Sequence, residues 1–132
     1  MFANNNLGVL NLGFPDVGLV PVGPVPVPTP FPNLAFSCTH IPSVFNVIFG
    51  GGLAENLLTT GTVSNGDEAG VLLGVISHFM DGPDRPFLGS FKTLVGGIFG
   101  TRLTTINGQN GMLPNTVGIS LTPAQVRVIL LS

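Results

Sequence analysis

Residues Pro24 to Pro32 read PVPVPTPFP, with proline at every second position. Two is the side-chain period of a β-strand, yet proline lacks the N–H that a strand ladder uses and holds φ near the polyproline II value. Pro24, Pro26, Pro28, Pro30 and Pro32 fall on one side of the segment, and Val25, Val27, Thr29 and Phe31 fall on the other. One set of backbone positions therefore has no donors. That excludes a central strand and leaves an edge strand or a covering strap. A surface linker is the plain alternative. The apolar alternate residues speak against it.

Composition points the same way. The chain has 132 residues, the size of one domain, and 44% of them are hydrophobic. Only 8% are charged, against a usual ~25%. Four basic residues and a net charge of −2 exclude a phosphate-neutralising nucleic-acid surface. With 19 Gly and 12 Pro punctuating the chain, long helices are excluded and a mainly β fold of short strands and turns is expected, with one or two short helices at most. So few charges leave an apolar surface that a partner must cover. Cys38 is the single cysteine, so no internal disulfide forms. The opening MFANNNLGVL lacks the basic region of a secretory signal, and no unbroken apolar run is long enough to span a bilayer. Synthesis in a reducing cytoplasm without a signal peptide is the expectation.

Along the chain, FPDV (Phe14 to Val17) has the composition of a turn, with Pro15 and Asp16 at its centre. LAFSCTHI (34–41) reads as a strand. SVFNVIF (43–49) reads as a strand or as a short helix capped by Ser43. The first half of LAENLLTTGTV (53–63) is the most helix-like piece. SNGDEAG (64–70), DGPDRP (81–86) and NGQNG (107–111) read as turns, and VLLGVISHF (71–79) as an apolar strand. FLGSFKTLVGGIFGTRLTT (87–105) reads as two short strands hinged at Gly96-Gly97, and VRVILL (126–131) as a closing strand. There is also an internal echo. At an offset of 46 residues, Phe45, Gly50, Gly51, Leu57 and Thr59 match Phe91, Gly96, Gly97, Leu103 and Thr105. A repeat and a low-complexity coincidence both account for it.

These pieces, in this order, resemble the PAAR-like family, the domain of unknown function numbered 4150. FPDVGLVPV resembles the family's opening, GPVPVPTPFPN its PVPIPYPN signature, and SNGDEAG its Gly-Asp-Glu-Ala-Gly turn. GVIS, FLGSFKTLVGG, TRL and LTPAQVRVIL resemble its later elements. The resemblance implies a small conical β-rich domain over residues 1–132 without a fused effector. It implies a non-enzymatic tip that caps and sharpens the trimeric valine-glycine-repeat spike protein, VgrG, of a type VI secretion system. One chain would sit on each trimer, aid membrane puncture and leave with the secreted apparatus, and a separate effector is a further candidate partner. The structural motif residues would be Pro15, Asp16, the five strap prolines, Gly66 and Asp67. The strap would wrap the cone as an unpaired edge that resists stray strand addition.

Zinc-binding PAAR domains use three His and one Cys near the apex. This chain lacks His beside Gly74 and lacks both Cys and His in 107–111. Cys38, His40 and His78 remain as an incomplete three-ligand alternative for zinc, against a reading as a buried thiol and two hydrogen-bonded imidazoles. For catalysis, Asp67, Glu68, Asp81 and Asp84 sit in turns, where acids are ordinarily solvated. A Cys38/His78 nucleophile–base pair would make a small secreted effector or hydrolase, but no hydrolase signature surrounds Cys38. No resident cofactor is expected.

Overall fold

Short apolar runs separated by turn residues produce strands and almost no helix. The computed structural model describes residues 1–131. Its strands are β1 (Leu10–Val22), β2 (Val25–Phe36), β3 (His40–Ile41), β4 (Val44–Phe49), β5 (Gly52–Ala54) and β6 (Thr60–Gly61). They continue with β7 (Arg85–Pro86), β8 (Leu94–Val95), β9 (Ile98–Phe99), β10 (Ile106–Gln109) and β11 (Thr116–Thr122). A single 3-10 turn, Ser37–Thr39, is the only helical piece among the described residues. One antiparallel sheet runs in the order β2-β1-β11-β10-β7, and three two-stranded ribbons pair β3 with β6, β4 with β5 and β8 with β9.

The proline segment is an edge strand, β2, but it is neither unpaired nor a wrap. It pairs with β1 from Val22↔Val25 down to Leu10↔Phe36, and Gly23, with φ +62, supplies the reversal. Its prolines stand opposite Pro21, Leu19 and Val17. Leu19 and Val17 turn their backbone groups away from β2, to Leu72, Leu73 and Val75. Paired residues point their groups in mirrored directions. The prolines therefore face outward, and the free edge of β2 presents carbonyls without alternate donors. All five are exposed. The hairpin end is an arm in solvent whose outer edge cannot extend the sheet.

Several local expectations are overturned by longer-range bonds. FPDV lies inside β1 as a bulge, where the register jumps from Gly13↔Asn33 to Asp16↔Phe31. LAFSCTHI breaks after Phe36, because the Ser37 hydroxyl takes the N–H groups of Gly8 and Val9. SVFNVIF is the strand β4. The helix-like piece is not a helix: Asn56 Oδ1 takes the Leu58 N–H and Thr59 Oγ1 takes the Asn56 N–H, a local alternative to helical bonding. VLLGVISHF is not a strand, since Leu73 (φ 76) and His78 (φ 56) break the extended run. The end of DGPDRP is β7. NGQNG is mostly β10, and Gly108 serves close approach, because an added Cβ would lie 2.4 Å from the Phe87 ring. VRVILL keeps only the Ile129↔Phe2 bridge, because Gln125 Oε1 holds the N–H groups of Arg127 and Val128.

The interior is polar and the surface apolar. Among the described residues the buried hydrophobic side chains are Ala3, Val9, Ala35, Ala54, Val95 and Leu130, most of them small. Asn5, Asp16, Asn33, Asn107, Gln109 and Asn110 are buried at 1% exposure or less. Large apolar groups such as Phe45, Phe91 and Leu131 stand outside. Hydrogen bonding specifies this core, and the exposed apolar groups mark surfaces for contact.

Candidate functional site

The internal echo is a structural repeat. Gly50-Gly51 (φ 60 and 98) and Gly96-Gly97 (φ 64 and 84) each form the two-residue turn of a hairpin, β4–β5 and β8–β9. Positive φ at both central residues matches the right-handed twist of the strands and favours glycine. Thr59 and Thr105 then close equivalent turns: their hydroxyls accept from Asn56 N at 3.2 Å and Arg102 N at 3.0 Å. The Asn5 amide donates to Phe49 O at 2.7 Å, and the Asn56 amide donates to Val95 O at 3.0 Å, the carbonyl that precedes the next glycine turn.

That last equivalence reveals a third copy. Residues 2–6 correspond to 53–57 and 99–103. Its hairpin partner comes from the other end of the chain, with Ile129↔Phe2 standing where Ile48↔Leu53 and Leu94↔Phe99 stand in the other copies. The three copies close on one another. Asn6 N donates to Leu53 O at 3.1 Å, Leu57 N to Phe99 O at 3.0 Å, and Leu103 N to Phe2 O at 2.7 Å. Bridges Asn5↔Ala54, Asn56↔Gly100 and Ala3↔Arg102 repeat the cycle. One asymmetric chain thus builds a ring with three-fold pseudo-symmetry. The small residues Ala3, Ala54 and Gly100 occupy equivalent buried positions in it.

Equivalent positions of a three-fold arrangement lie at one level along its axis, so exposed side chains appear in threes. Ile48, Leu94 and Ile129 are 65%, 59% and 54% exposed. Phe45, Phe91 and Val126 are a second exposed set. Leu7 and Leu58 are equivalent and exposed, with Thr104 in third place. No charged residue belongs to these sets.

The motif residues converge elsewhere, in a buried node. Asp16, from FPDV, accepts from the amides of Asn33, Asn110 (3.1 Å) and Asn115. Asp67, from SNGDEAG, accepts from the Asn110 amide and from Asp81 N at 3.2 Å. Pro32-Asn33, Asp16, Asp67 and Asn110 thus tie the strap, the bulge and two loops together. Desolvation, with the Asp81 carboxyl beside it, pushes the Asp67 pKa up to about 6. The protonated form is favoured on folding, so this contribution is complete below about pH 4 and declines as pH rises through 6. Gly66 is essential to the node: it has φ +132, and a Cβ there would lie 2.0 Å from Pro32 O. Gly66→Ala is expected to lose at least about 2 kcal/mol. Gly51→Ala, with φ +98 and open space around it, should lose about 1 kcal/mol. Urea midpoints of the two variants measure the difference, and equal losses would refute the Gly66–Pro32 contact.

The family model described as the toxin PAAR-like domain matches residues 9–118. The chain belongs to that family. No curated protein and no solved structure matches it. Membership makes this PAAR-like chain a type VI spike-associated or toxin-related protein. No helix among its described residues is long and apolar enough to cross a membrane.

Among the described residues of this PAAR-like chain, Cys38, His40 and His78 do not form a metal-ligating group. Cys38 is exposed on the 3-10 turn, His78 is exposed in the 71–80 loop, and His40 is buried. No group of three or more His, Cys, Asp or Glu side chains among the described residues is placed to hold a metal ion. Cys38 and His78 share no hydrogen bond or ion pair among them either. Instead, His40 Nδ1 lies 3.1 Å from Glu55 Oε1 and Nε2 lies 3.4 Å from Asp84 Oδ2. Both contacts are within ion-pair distance. Burial pulls the imidazole pKa down, but the two carboxylates outweigh it and raise it to about 10. Burial, with Asp84 nearby, raises the Glu55 pKa against the pull of His40. Asp84, placed in a turn by sequence, is fully buried. The triad joins β3, the ring through Glu55, and the residue before β7.

Proposed function

We propose that this chain is a non-enzymatic tip that caps the trimeric VgrG spike of a type VI secretion system, one chain per trimer, sharpening it for membrane puncture and effector delivery. The observation that carries the reading is the closed ring of residues 2–6, 53–57 and 99–103. A single chain meeting a trimer faces three identical surfaces about an axis. A ring with its own three-fold pseudo-symmetry offers each subunit an equivalent contact. The apolar sets built on Ile48 and Phe45 supply the hydrophobic contact area. The charge-poor composition fits a surface that is covered in use.

Further support comes from rigidity. The strap prolines reduce the freedom of the unfolded chain at positions whose φ suits them. Family membership over residues 9–118 supplies the type VI association. The word toxin in the family description raises an effector reading, but no hydrogen bond joins Cys38 to His78 among the described residues to support a nucleophile–base pair. Size-exclusion chromatography with light scattering tests the proposal. The chain should co-elute with the tip fragment of its cognate spike at one chain per trimer. Free chain beside unoccupied trimer overturns it.

A further inference from the structure

The ring has an interior as well as a rim, and the docking reading does not use it. Asn4, Glu55 and Thr101 are the three equivalent residues at the middle of its strands. All three are buried, at 4%, 2% and 2% exposure, and all three line one small cavity. The same cavity is lined by His40, Asn107, Thr105, Asn11, Ser120 and Pro86. Asn4 Oδ1, Thr101 Oγ1 and Asn107 Nδ2 are buried without a hydrogen-bond partner, and Glu55 Oε1 has only its ion-pair contact with His40.

We propose that this cavity is a binding site for a single water molecule held between the three ring strands and β10. The chemistry of the donor set selects water. Asn4 Oδ1 and Glu55 Oε1 are acceptors, whereas the Thr101 hydroxyl and Asn107 Nδ2–H₂ are donors. Two acceptors and two donors are the complement of one water, which donates twice and accepts twice. A bare cation suits the two oxygens but meets the Asn107 N–H and the His40 imidazolium with the wrong sign. Orphaned buried polar atoms are costly, and a polar cavity of water size relieves that cost.

The water would also complete a circuit. The Asn4 amide donates to Ser120 Oγ at 3.3 Å, Ser120 Oγ donates to Asn11 Oδ1 at 2.7 Å, and the Asn11 amide donates to Asp84 Oδ2 at 3.1 Å. Asp84 meets His40, and His40 meets Glu55. A water between Glu55 and Asn4 closes the loop and fixes the ring to the sheet through Asn107.

A crystal structure of the full chain at about 1.5 Å, with a second crystal soaked in thallium(I), tests this. The expected result is one density peak of water strength about 2.7–3.1 Å from all four atoms, without thallium anomalous signal. Thr101→Val, which removes one donor and keeps the shape, should raise the B-factor of that peak or abolish it. An anomalous peak at the site, contacts near 2.4 Å, a cavity without density, or a Thr101→Val water as well ordered as in the parent would each overturn the proposal.

Discussion

Replacing His40 with alanine is expected to destabilise the fold by about 3–5 kcal/mol, the loss typical when one member of a buried ion pair is removed. Glu55 and Asp84 are 2% and 1% exposed and would face each other's charge without the imidazolium between them. The stability should also follow pH in a defined way. In the unfolded chain the imidazole titrates near its ordinary value of 6.5, and in the folded chain at about 10. Between these values the folded chain holds the extra proton, so stability falls as pH rises. The contribution is complete below about pH 6.5 and is lost as pH climbs through 10. Urea denaturation of parent and His40→Ala at pH 6, 8 and 10 gives the readout, and the difference between them should shrink toward pH 10. A parent curve flat across this window, with a variant loss under 1 kcal/mol, would mean that the imidazole is neutral and the triad is not an ion-pair cluster.

His40 also shows where sequence reading ended. Cys38 and His40 are two residues apart, a spacing that puts both on one strand face. The 3-10 turn at Ser37–Thr39 breaks that alternation, leaving Cys38 outside and His40 inside. The carboxylates that hold His40 come from 15 and 44 positions later in the chain, and nothing local announces them. Turn composition is an incomplete guide for a similar reason. The composition of FPDV and NGQNG fits a turn, but a bulge and a strand of close backbone approach use the same residues. Edge placement of the proline segment was legible, because a missing N–H is a local property. Two copies of the ring were legible as a 46-residue echo, with glycines at the positions that require positive φ. The third was hidden, because its two strands, paired at Phe2 and Ile129, lie far apart in the sequence and form no local hairpin. The signal available for it was the match of Asn5-Asn6-Leu7 to Asn56-Leu57-Leu58, where Asn5 and Asn56 each take the N–H two residues on, at 3.1 and 3.0 Å.

The largest effect on function is expected from charge placed in that ring. Ile48→Asp combined with Leu94→Asp should leave the fold intact, since both side chains are more than half exposed and sit on hairpin strands whose backbone bonds are unchanged. Docking should be lost. Each side chain removed takes away about 1.5–3 kcal/mol of apolar burial at the interface. Each carboxylate added must also be stripped of water where the parent buries an apolar group. Two such changes weaken affinity by at least about 100-fold, since 1.4 kcal/mol is a factor of ten. Val25→Asp makes an equally exposed change at the end of the β1–β2 arm, outside the ring, and should bind as the parent does. Fluorescence anisotropy titration against the spike tip measures all three proteins, with thermal melts to establish that each is folded. Should Val25→Asp abolish binding while the folded ring variant retains it, the arm is the docking element and the three-fold argument fails. With the opposite outcome, adding Ile129→Asp should weaken binding further, because the third copy contributes on the same terms as the first two.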